Sequence, residues 1–205
     1  MGINLAKGQT IDLKKNEGSS VENNLSKVTI GLGWDINDNG ASYDLDACAV
    51  LLDKDGKMTE SKDVIYYGDK NHSSGKIYLT GDNLTGAGEG DDEQIIVNLN
   101  ELPAKYEKIV FYTSIYQGKS RGQAFNKVKN AYIRACDANG NEIARYDISG
   151  DSSLTGKRSL VFAEAYRKDG GWKFRALGES HDTDSYAAIA ETYKSGKGFF
   201  SKILG

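Results

Sequence analysis

The segment from Gly31 to Asp46 constrains this chain most, because it is a glycine-punctuated acidic loop between two apolar runs. Its residues follow the spacing of a loop that wraps hard oxygen ligands around one cation. Asp35, Asn37, Asn39, Gly40 and Asp46 occupy positions 1, 3, 5, 6 and 12 of that loop. The flanking runs, residues 28–30 and 47–52, are β-branched or short and apolar. They predict strands, so the segment is not the helix-flanked loop of an EF-hand.

A second acidic stretch, residues 82–93, repeats this chemistry without the spacing and runs directly into a predicted strand at 94–99. Residues 35–46 carry four carboxylates and residues 82–93 carry five, and neither segment contains Lys or Arg. If the two stretches met, like charges about 4–5 Å apart would cost on the order of a few kcal/mol per pair. A divalent cation would remove that cost, so the two stretches together predict a metal site.

The alternative interpretation is a pair of solvated turns, because Asp, Asn and Gly tolerate left-handed backbone and hydrogen-bond their own main chain. Asp91, Asp92 and Glu93 fit that alternative poorly, since they precede a buried-looking strand and a carboxylate beside a core needs a partner. A magnesium site usually supplies only about one or two carboxylates. The number of acids in the two stretches therefore favours closed calcium sites, and we expect two ions.

Several motifs resemble the TerD family of tellurite-resistance and stress-response proteins. They are Gly-Leu-Gly-Trp-Asp (31–35), Tyr-Asp-Leu-Asp-Ala (43–47), Gly-Asp-Asn-Leu-Thr-Gly (81–86), Gly-Asp-Asp-Glu (90–93) and Gly-Gly-Trp-Lys-Phe-Arg-Ala (170–176). The resemblance implies a β-sandwich that binds calcium through its acidic residues. Carried over residue by residue, it implies these ligands or close supports: Asp35, Asp44, Asp46, Asp82, Asp91, Asp92 and Glu93. The resemblance does not determine which of these residues contacts which ion.

The remaining chain also predicts an all-β fold, an antiparallel β-sandwich with short helices and a C-terminal helix. Further strands are predicted at 3–5, 10–13, 64–67, 77–80, 109–116, 131–136, 142–148, 159–167 and 172–177, separated by turn residues. The last two are predicted to form a hairpin with its turn at 168–171. One short helix is predicted at 121–129, and a C-terminal helix is predicted to be capped by Asp184 and to run to Tyr193. We expect a calcium-binding sandwich over residues 1–180 and a helix with an amphipathic tail over residues 181–205. The tail has two interpretations, as extra core or as a docking segment.

Catalytic motifs are not recognisable in the sequence. Gly118-Lys119-Ser120 resembles the end of a phosphate-binding loop, but residue 113, where that loop needs a glycine, is Thr113. His72 and His181 lie in polar turn-like stretches without a nucleophile motif. We therefore expect no enzymatic activity. Cys48, Cys136, Trp34 and Trp172 are predicted to be core residues.

Net charge and hydropathy limit the classes of partner. The formal net charge is only -3, and the acidic stretches would repel phosphates, so no nucleic acid is expected. Neither a signal peptide nor an apolar run of spanning length is present, which predicts a cytoplasmic protein. The resemblance to the TerD family implies a calcium-dependent scaffold or sensor in tellurite resistance and stress response. Its expected protein partners belong to a stress-response complex, which could lie at the membrane surface. The alternatives are a metal-dependent enzyme acting on a phosphoester or nucleotide and a calcium-dependent membrane-docking protein.

Overall fold

The computed structural model describes residues 3–4, 9–12, 23–24, 26–35, 42–81, 83–87, 90–149 and 151–194. Its strands are β1 Ile3–Asn4, β2 Thr10–Asp12, β3 Val28–Asp35, β4 Leu45–Leu52, β5 Val64–Ile65, β6 Ile77–Thr80, β7 Glu93–Val97, β8 Lys108–Ile115, β9 Lys129–Cys136, β10 Glu142–Asp147, β11 Ser159–Lys168 and β12 Gly171–His181. One α-helix, α1, spans Tyr186–Glu191 in these ranges, and 3-10 turns lie at Ser61–Asp63, Leu99–Glu101, Phe125–Lys127 and Ser152–Leu154.

The strands form two six-stranded sheets. The first has the order β1-β10-β9-β3-β7-β6 and the second the order β2-β12-β11-β8-β4-β5. Neighbouring strands in the described ranges are antiparallel, apart from the parallel pair β1 and β10. The predicted all-β class and the antiparallel sandwich are therefore confirmed.

The core between the sheets is built from alternating apolar residues, as a period of two along each strand requires. Strand β4 departs from that alternation, because all eight of its residues are buried. Its inward residues join the main core, whereas Cys48, Val50 and Leu52 form part of a second apolar cluster. A strand that is covered on both faces has a continuous apolar sequence, which explains residues 47–52.

Helix α1 supplies part of that second cluster through Ile189 and Ala190, together with Tyr193 just beyond it. The backbone also fastens this region, since Met58 N donates to Tyr193 O at 3.1 Å. The predicted helix is thus present, but its predicted cap is wrong. The Ser185 side chain accepts from Ala188 N at the start of α1, because Asp184 is already engaged with the backbone N–H of Lys119.

Of two further predictions, the helix at 121–129 is wrong and the hairpin between β11 and β12 is confirmed. The predicted helix at 121–129 is reduced to the 3-10 turn Phe125–Lys127, because Gly122 adopts a left-handed φ of 65° and β9 already begins at Lys129. The predicted hairpin between β11 and β12 is present, with Asp169 and Gly170 both at positive φ as a tight two-residue turn requires.

The amphipathic tail lies outside the described residues, beyond residue 194. No helix in the described ranges is long and apolar enough to span a membrane.

Candidate metal centre

The two acidic stretches lie at strand ends that the topology brings together. Strand β3 ends at Asp35, β4 begins at Leu45 in the other sheet, and β7 begins at Glu93 beside β3. In the register between β3 and β7, Glu93 pairs with Leu32. Of the predicted ligands, the structure describes Asp35, Asp44, Asp46, Asp91, Asp92 and Glu93. Asp82 lies outside the described residues, as do Asn37, Asn39 and Gly40 of the predicted loop.

Hydrogen bonds connect the two stretches directly. The backbone N–H of Trp34 donates to Oδ2 of Asp92 at 2.8 Å, and the backbone N–H of Asp92 donates to the carbonyl of Leu32 at 2.8 Å. Further out, the Ser42 hydroxyl donates to the carbonyl of Leu84 at 3.1 Å. The expectation that the two acidic stretches meet is therefore confirmed for their described parts.

Trp34 packs between the stretches and is 2% exposed. Its indole N–H donates to the carbonyl of Tyr43 at 2.9 Å, and its ring lies against Gly86. A Cβ at Gly86 would stand 2.4 Å from the indole, and Gly86 also adopts a φ of 71°. Only glycine satisfies both demands, so Gly86 permits the close approach of the second stretch to Trp34.

Asp91 is neutralised by a base from a third strand. Its carboxylate lies over Gly31, where a Cβ would come within 2.2 Å of Oδ2. The register places Arg134 of β9 on one side of Gly31 and Gln94 of β7 on the other. Arg134 Nε donates to Oδ1 at 2.8 Å and its Nη2 to Oδ2 at 3.1 Å, while Gln94 Nε2 donates to Oδ2 at 3.0 Å. The Tyr132 hydroxyl adds a fourth bond at 3.0 Å, so Asp91 is held as a structural anion.

Asp92 is held differently although it is the next residue. Asn83 Nδ2 donates to Oδ1 at 2.6 Å, in addition to the bond from Trp34 N to Oδ2. Burial raises the pKa of Asp92, the Trp34 N–H opposes that shift, and the charges on Asp35 and Asp91 add to it. Like charges therefore crowd this carboxylate, which is the condition that a bound cation relieves.

Asp35 lies at the rim of a polar cavity on the first sheet. The amide of Asn130 donates to Oδ2 of Asp35 at 2.6 Å, from a residue with a left-handed φ of 49°. The cavity has a volume of about 570 Å³, and its lining includes Trp34, Asp35, Gly90, Asn130, Arg145 and Ser149. Asp35 is exposed to solvent, so it is accessible to an ion entering from this side.

Asp44, Asp46 and Glu93 form the deeper part of the acidic end and are 7%, 4% and 1% exposed. Oε2 of Glu93 accepts from the backbone N–H of Ala47 at 2.6 Å, which fastens β7 to β4 across the sandwich. Burial raises the pKa of Cys48 well above its usual range, and the charges on Asp46 and Glu93 raise it further. Asp44 and Asp46 also line a cavity of about 330 Å³, together with Tyr67, Leu84, Tyr116 and Arg121.

The donor set fits calcium in chemistry but is incomplete in the described part of the chain. Calcium takes about six to eight oxygen ligands, and carboxylates and amide carbonyls are what these two stretches offer. Among the described residues, no three His, Cys, Asp or Glu side chains converge as a metal cluster. The charge on Asp35 acts on Asp92 near the surface, whereas Asp44 and Asp46 are buried and line one cavity together. Predicted partners such as Asp82 fall outside the described ranges.

Sequence reasoning missed the residues that support this end. Arg134 and Tyr132 lie in β9, and nothing local in the sequence connects them to Asp91. The absence of Lys and Arg inside the acidic stretches suggested unpaired charge, whereas Arg134 lies 43 residues from Asp91. The glycine pair Gly31 and Gly33 is the available signal, because each leaves room for a neighbouring side chain, Asp91 and Tyr132 respectively.

Sequence reasoning also missed a buried polar cluster of Asp63, His72 and Tyr106. It lies near the other end of β4, since Val64, the residue after Asp63, pairs with Val50. His72 lies in a polar turn, as expected, since the backbone N–H of Gly75 donates to the carbonyl of His72 at 2.9 Å, but its side chain is only 4% exposed. The backbone N–H of Ser74 donates to His72 Nδ1 at 3.1 Å, which leaves the proton on Nε2. Nε2 faces Oδ1 of Asp63 at 3.4 Å, and the Tyr106 hydroxyl donates to the same oxygen at 2.5 Å.

Comparison with known proteins agrees with this architecture. The family model described as "TerD domain" matches residues 1–193. The chain is 46% identical to "Tellurium resistance protein TerX" of Serratia marcescens, over 94% of this chain and 100% of that protein. It is 42% identical to "General stress protein 16U" of Bacillus subtilis (strain 168), over 94% and 97%.

A solved structure shares the fold. It is the crystal structure of a homologue of telluride resistance protein (TerD), SCO6318 from Streptomyces coelicolor A3(2), with a TM-score of 0.66 and 22% identity over 83% of this chain and 97% of that one. The family match spans both acidic stretches, the sandwich and α1. The chain belongs to the TerD family.

Proposed function

We propose that this protein is a calcium-binding module that acts without catalysis, as a scaffold or sensor, in tellurium resistance and the general stress response. Relatives named for tellurium resistance and for stress support the physiological role. The observation that carries the calcium proposal is the contact between the two acidic stretches, where the N–H of Trp34 donates to Asp92 and the charges on Asp35 and Asp91 help to raise the pKa of Asp92. A nearby cation would favour the charged form of a carboxylate in such surroundings.

The described acids divide into ligands and supports under this proposal. Asp35 and Asp92 would hold one ion near the surface, and Asp44 and Asp46 would hold a second ion deeper in the sandwich. Asp91 is a support, because Arg134 already neutralises it. Glu93 supports the site by fixing the start of β4 through the N–H of Ala47. Calcium would supply the positive charge that cancels the repulsion between the two stretches.

Thermal unfolding tests the proposal, because an ion that binds the folded protein alone stabilises it by mass action. At free calcium one hundred times the dissociation constant, we expect about 2.7 kcal/mol per independent site relative to a chelator. Magnesium should stabilise less, since it prefers small sites that retain water. An unchanged melting temperature, or equal stabilisation by both ions, would contradict closed calcium sites.

A double-mutant cycle tests whether the two stretches work as one unit. Asp46→Asn and Asp92→Asn should each weaken calcium binding in calorimetry. Because the stretches touch through Trp34, the combined loss should be smaller than the sum, by about 0.5–3 kcal/mol. Asp55→Asn is the matched control, since Asp55 lies in the exposed turn after β4 and should leave calcium affinity unchanged. Strict additivity would mean that the stretches bind independently.

A further inference from the structure

Four tyrosine rings meet where α1 packs against the second sheet. The rings of Tyr66 and Tyr186 are stacked, with centroids 4.1 Å apart and an interplanar angle of 17°. Tyr67 meets both edge-on, at 5.3 Å from Tyr66 and 5.8 Å from Tyr186. Tyr116 in turn meets Tyr67 edge-on at 5.7 Å. All four side chains are only partly buried, so the cluster is in contact with solvent.

The stacked pair differs from the edge-on pairs in the atoms that it brings together. The rings of Tyr66 and Tyr186 lie face to face and nearly parallel. Nearly parallel rings at this separation bring the ring carbons of one phenol opposite those of the other, within reach of a carbon–carbon bond after a small shift. In the edge-on contacts, the edge of one ring faces the π surface of the next, and the ortho carbons are not opposed.

We propose that Tyr66 and Tyr186 form an intramolecular dityrosine crosslink when the protein meets one-electron oxidants, and that this bond fastens α1 to the sandwich. The oxidants are of the radical class, such as hydroxyl or peroxyl radicals. This modification site is independent of the calcium proposal, because neither tyrosine belongs to the acidic stretches.

The chemistry balances as two one-electron oxidations followed by radical coupling. Each phenol gives one electron to an oxidant and releases its hydroxyl proton, which leaves two phenoxyl radicals. A carbon–carbon bond then forms between one ortho carbon of each ring. The hydrogen on each coupled carbon moves to the oxygen of its own ring and restores two phenols. The net change is the loss of two electrons and two protons from the pair.

The neighbouring tyrosines assist without competing. Tyr67 touches both rings of the pair and Tyr116 touches Tyr67, so an oxidised ring at the outside of the cluster can take an electron from the stacked pair. The pKa of Tyr186 is raised to about 12 by its hydrogen bond to Tyr66 and by burial, so this phenol holds its proton until it is oxidised. The stacked pair is therefore the place where two radicals in contact couple.

The experiment exposes the purified full chain to a photogenerated ruthenium(III) complex, a one-electron oxidant, and follows dityrosine fluorescence. We expect a chain that still runs as a single protomer, is lighter by two hydrogen atoms, and yields a linked peptide pair carrying Tyr66 and Tyr186. Because the bond closes a long loop of chain, the melting temperature should rise by about 5–10 °C.

Phenylalanine variants keep the stacking and remove the phenol. Tyr66→Phe and Tyr186→Phe should each fold normally and lose the linked peptide pair. Tyr166→Phe is the matched control, because Tyr166 is also partly buried but its ring faces Arg175 and not another tyrosine. That control should keep the full crosslink yield. The proposal would be overturned if the main crosslinks joined two chains or joined Tyr67 to Tyr116. It would also be overturned if the main crosslink survived in Tyr66→Phe, or if the protein were oxidised without any crosslink.

Discussion

Buried carboxylates occur in two regions of this protein, and their surroundings shift their pKa values in opposite directions. Burial opposes the ionisation of Asp63, but hydrogen bonds from His72, Tyr106 and Thr59 and the backbone N–H of Glu60 hold its pKa well below its usual range. Burial also opposes the ionisation of Asp92, and there the charges on neighbouring acids raise the pKa further. Asp63 accepts hydrogen bonds from several protein donors, whereas Asp92 accepts two and also has the like charges of Asp35 and Asp91 near it.

This comparison separates structural acids from candidate ligands. A carboxylate whose lone pairs are filled by protein donors has no need of a metal and loses stability when it is changed. A carboxylate that faces other carboxylates gains from a cation. Asp91 and Asp92 show the same contrast within two adjacent residues, because Arg134 neutralises the first and Asn83 only orients the second.

The largest effect is expected at Asp63. Asp63→Ala leaves the Tyr106 hydroxyl buried without its acceptor and removes the acceptor of the partly buried bonds from the N–H groups of Thr59 and Glu60. We expect the free energy of unfolding to fall by about 3–5 kcal/mol, measured by urea denaturation. Calcium affinity should not change. Asp55→Asn, in an exposed turn, is the control, and a loss of calcium binding in Asp63→Ala would break the distinction between the regions.

An intermediate effect is expected at Arg134, which is partly exposed and pairs with a buried Asp91. Arg134→Met should lower the free energy of unfolding by about 2 kcal/mol, because it leaves Asp91 as an uncompensated buried charge. Adding Asp91→Asn should recover part of that loss. If the single variant instead bound calcium more tightly with unchanged stability in chelator, the freed Asp91 would be a ligand and not a support.

The smallest effect is a pH dependence of opposite sign in the two regions, measured in chelator. The folded pKa of Asp63 is lowered, so its contribution is present above the unfolded value of about 4 and is lost only as the pH falls through the folded pKa. The folded pKa of Asp92 is raised, so its contribution is present below about 4 and is lost as the pH rises through the folded pKa.

Urea titrations of the wild type and of Asp92→Asn between about pH 4 and 7 isolate the second contribution. The stability difference, wild type minus variant, should fall as the pH rises, by less than about 1 kcal/mol. Calcium affinity should fall as the pH is lowered, because the ion must displace the proton from Asp92. A stability difference that is flat across this range would mean that Asp92 is not crowded by like charge.

The sequence by itself determined the features that depend on a few neighbouring residues. Alternating apolar residues predict the strands, Asp169 and Gly170 form the predicted hairpin turn, and the spacing of acids identifies the stretches that meet. These signals are local, because strand period and turn conformation are set within about ten residues.

Only the tertiary structure decided which charges are paired and which residues share an environment. Arg134 reaches Asp91 because the strand register places it opposite Gly31, and no spacing in the sequence encodes that register. His72 is buried because Asp63 and Tyr106 pack against its ring, and these two residues come from separate parts of the chain. Tyr66 and Tyr186 stack only because α1 returns to the second sheet. Such contacts depend on the relative placement of whole strands, which is an outcome of core packing across the sandwich and not of local propensity.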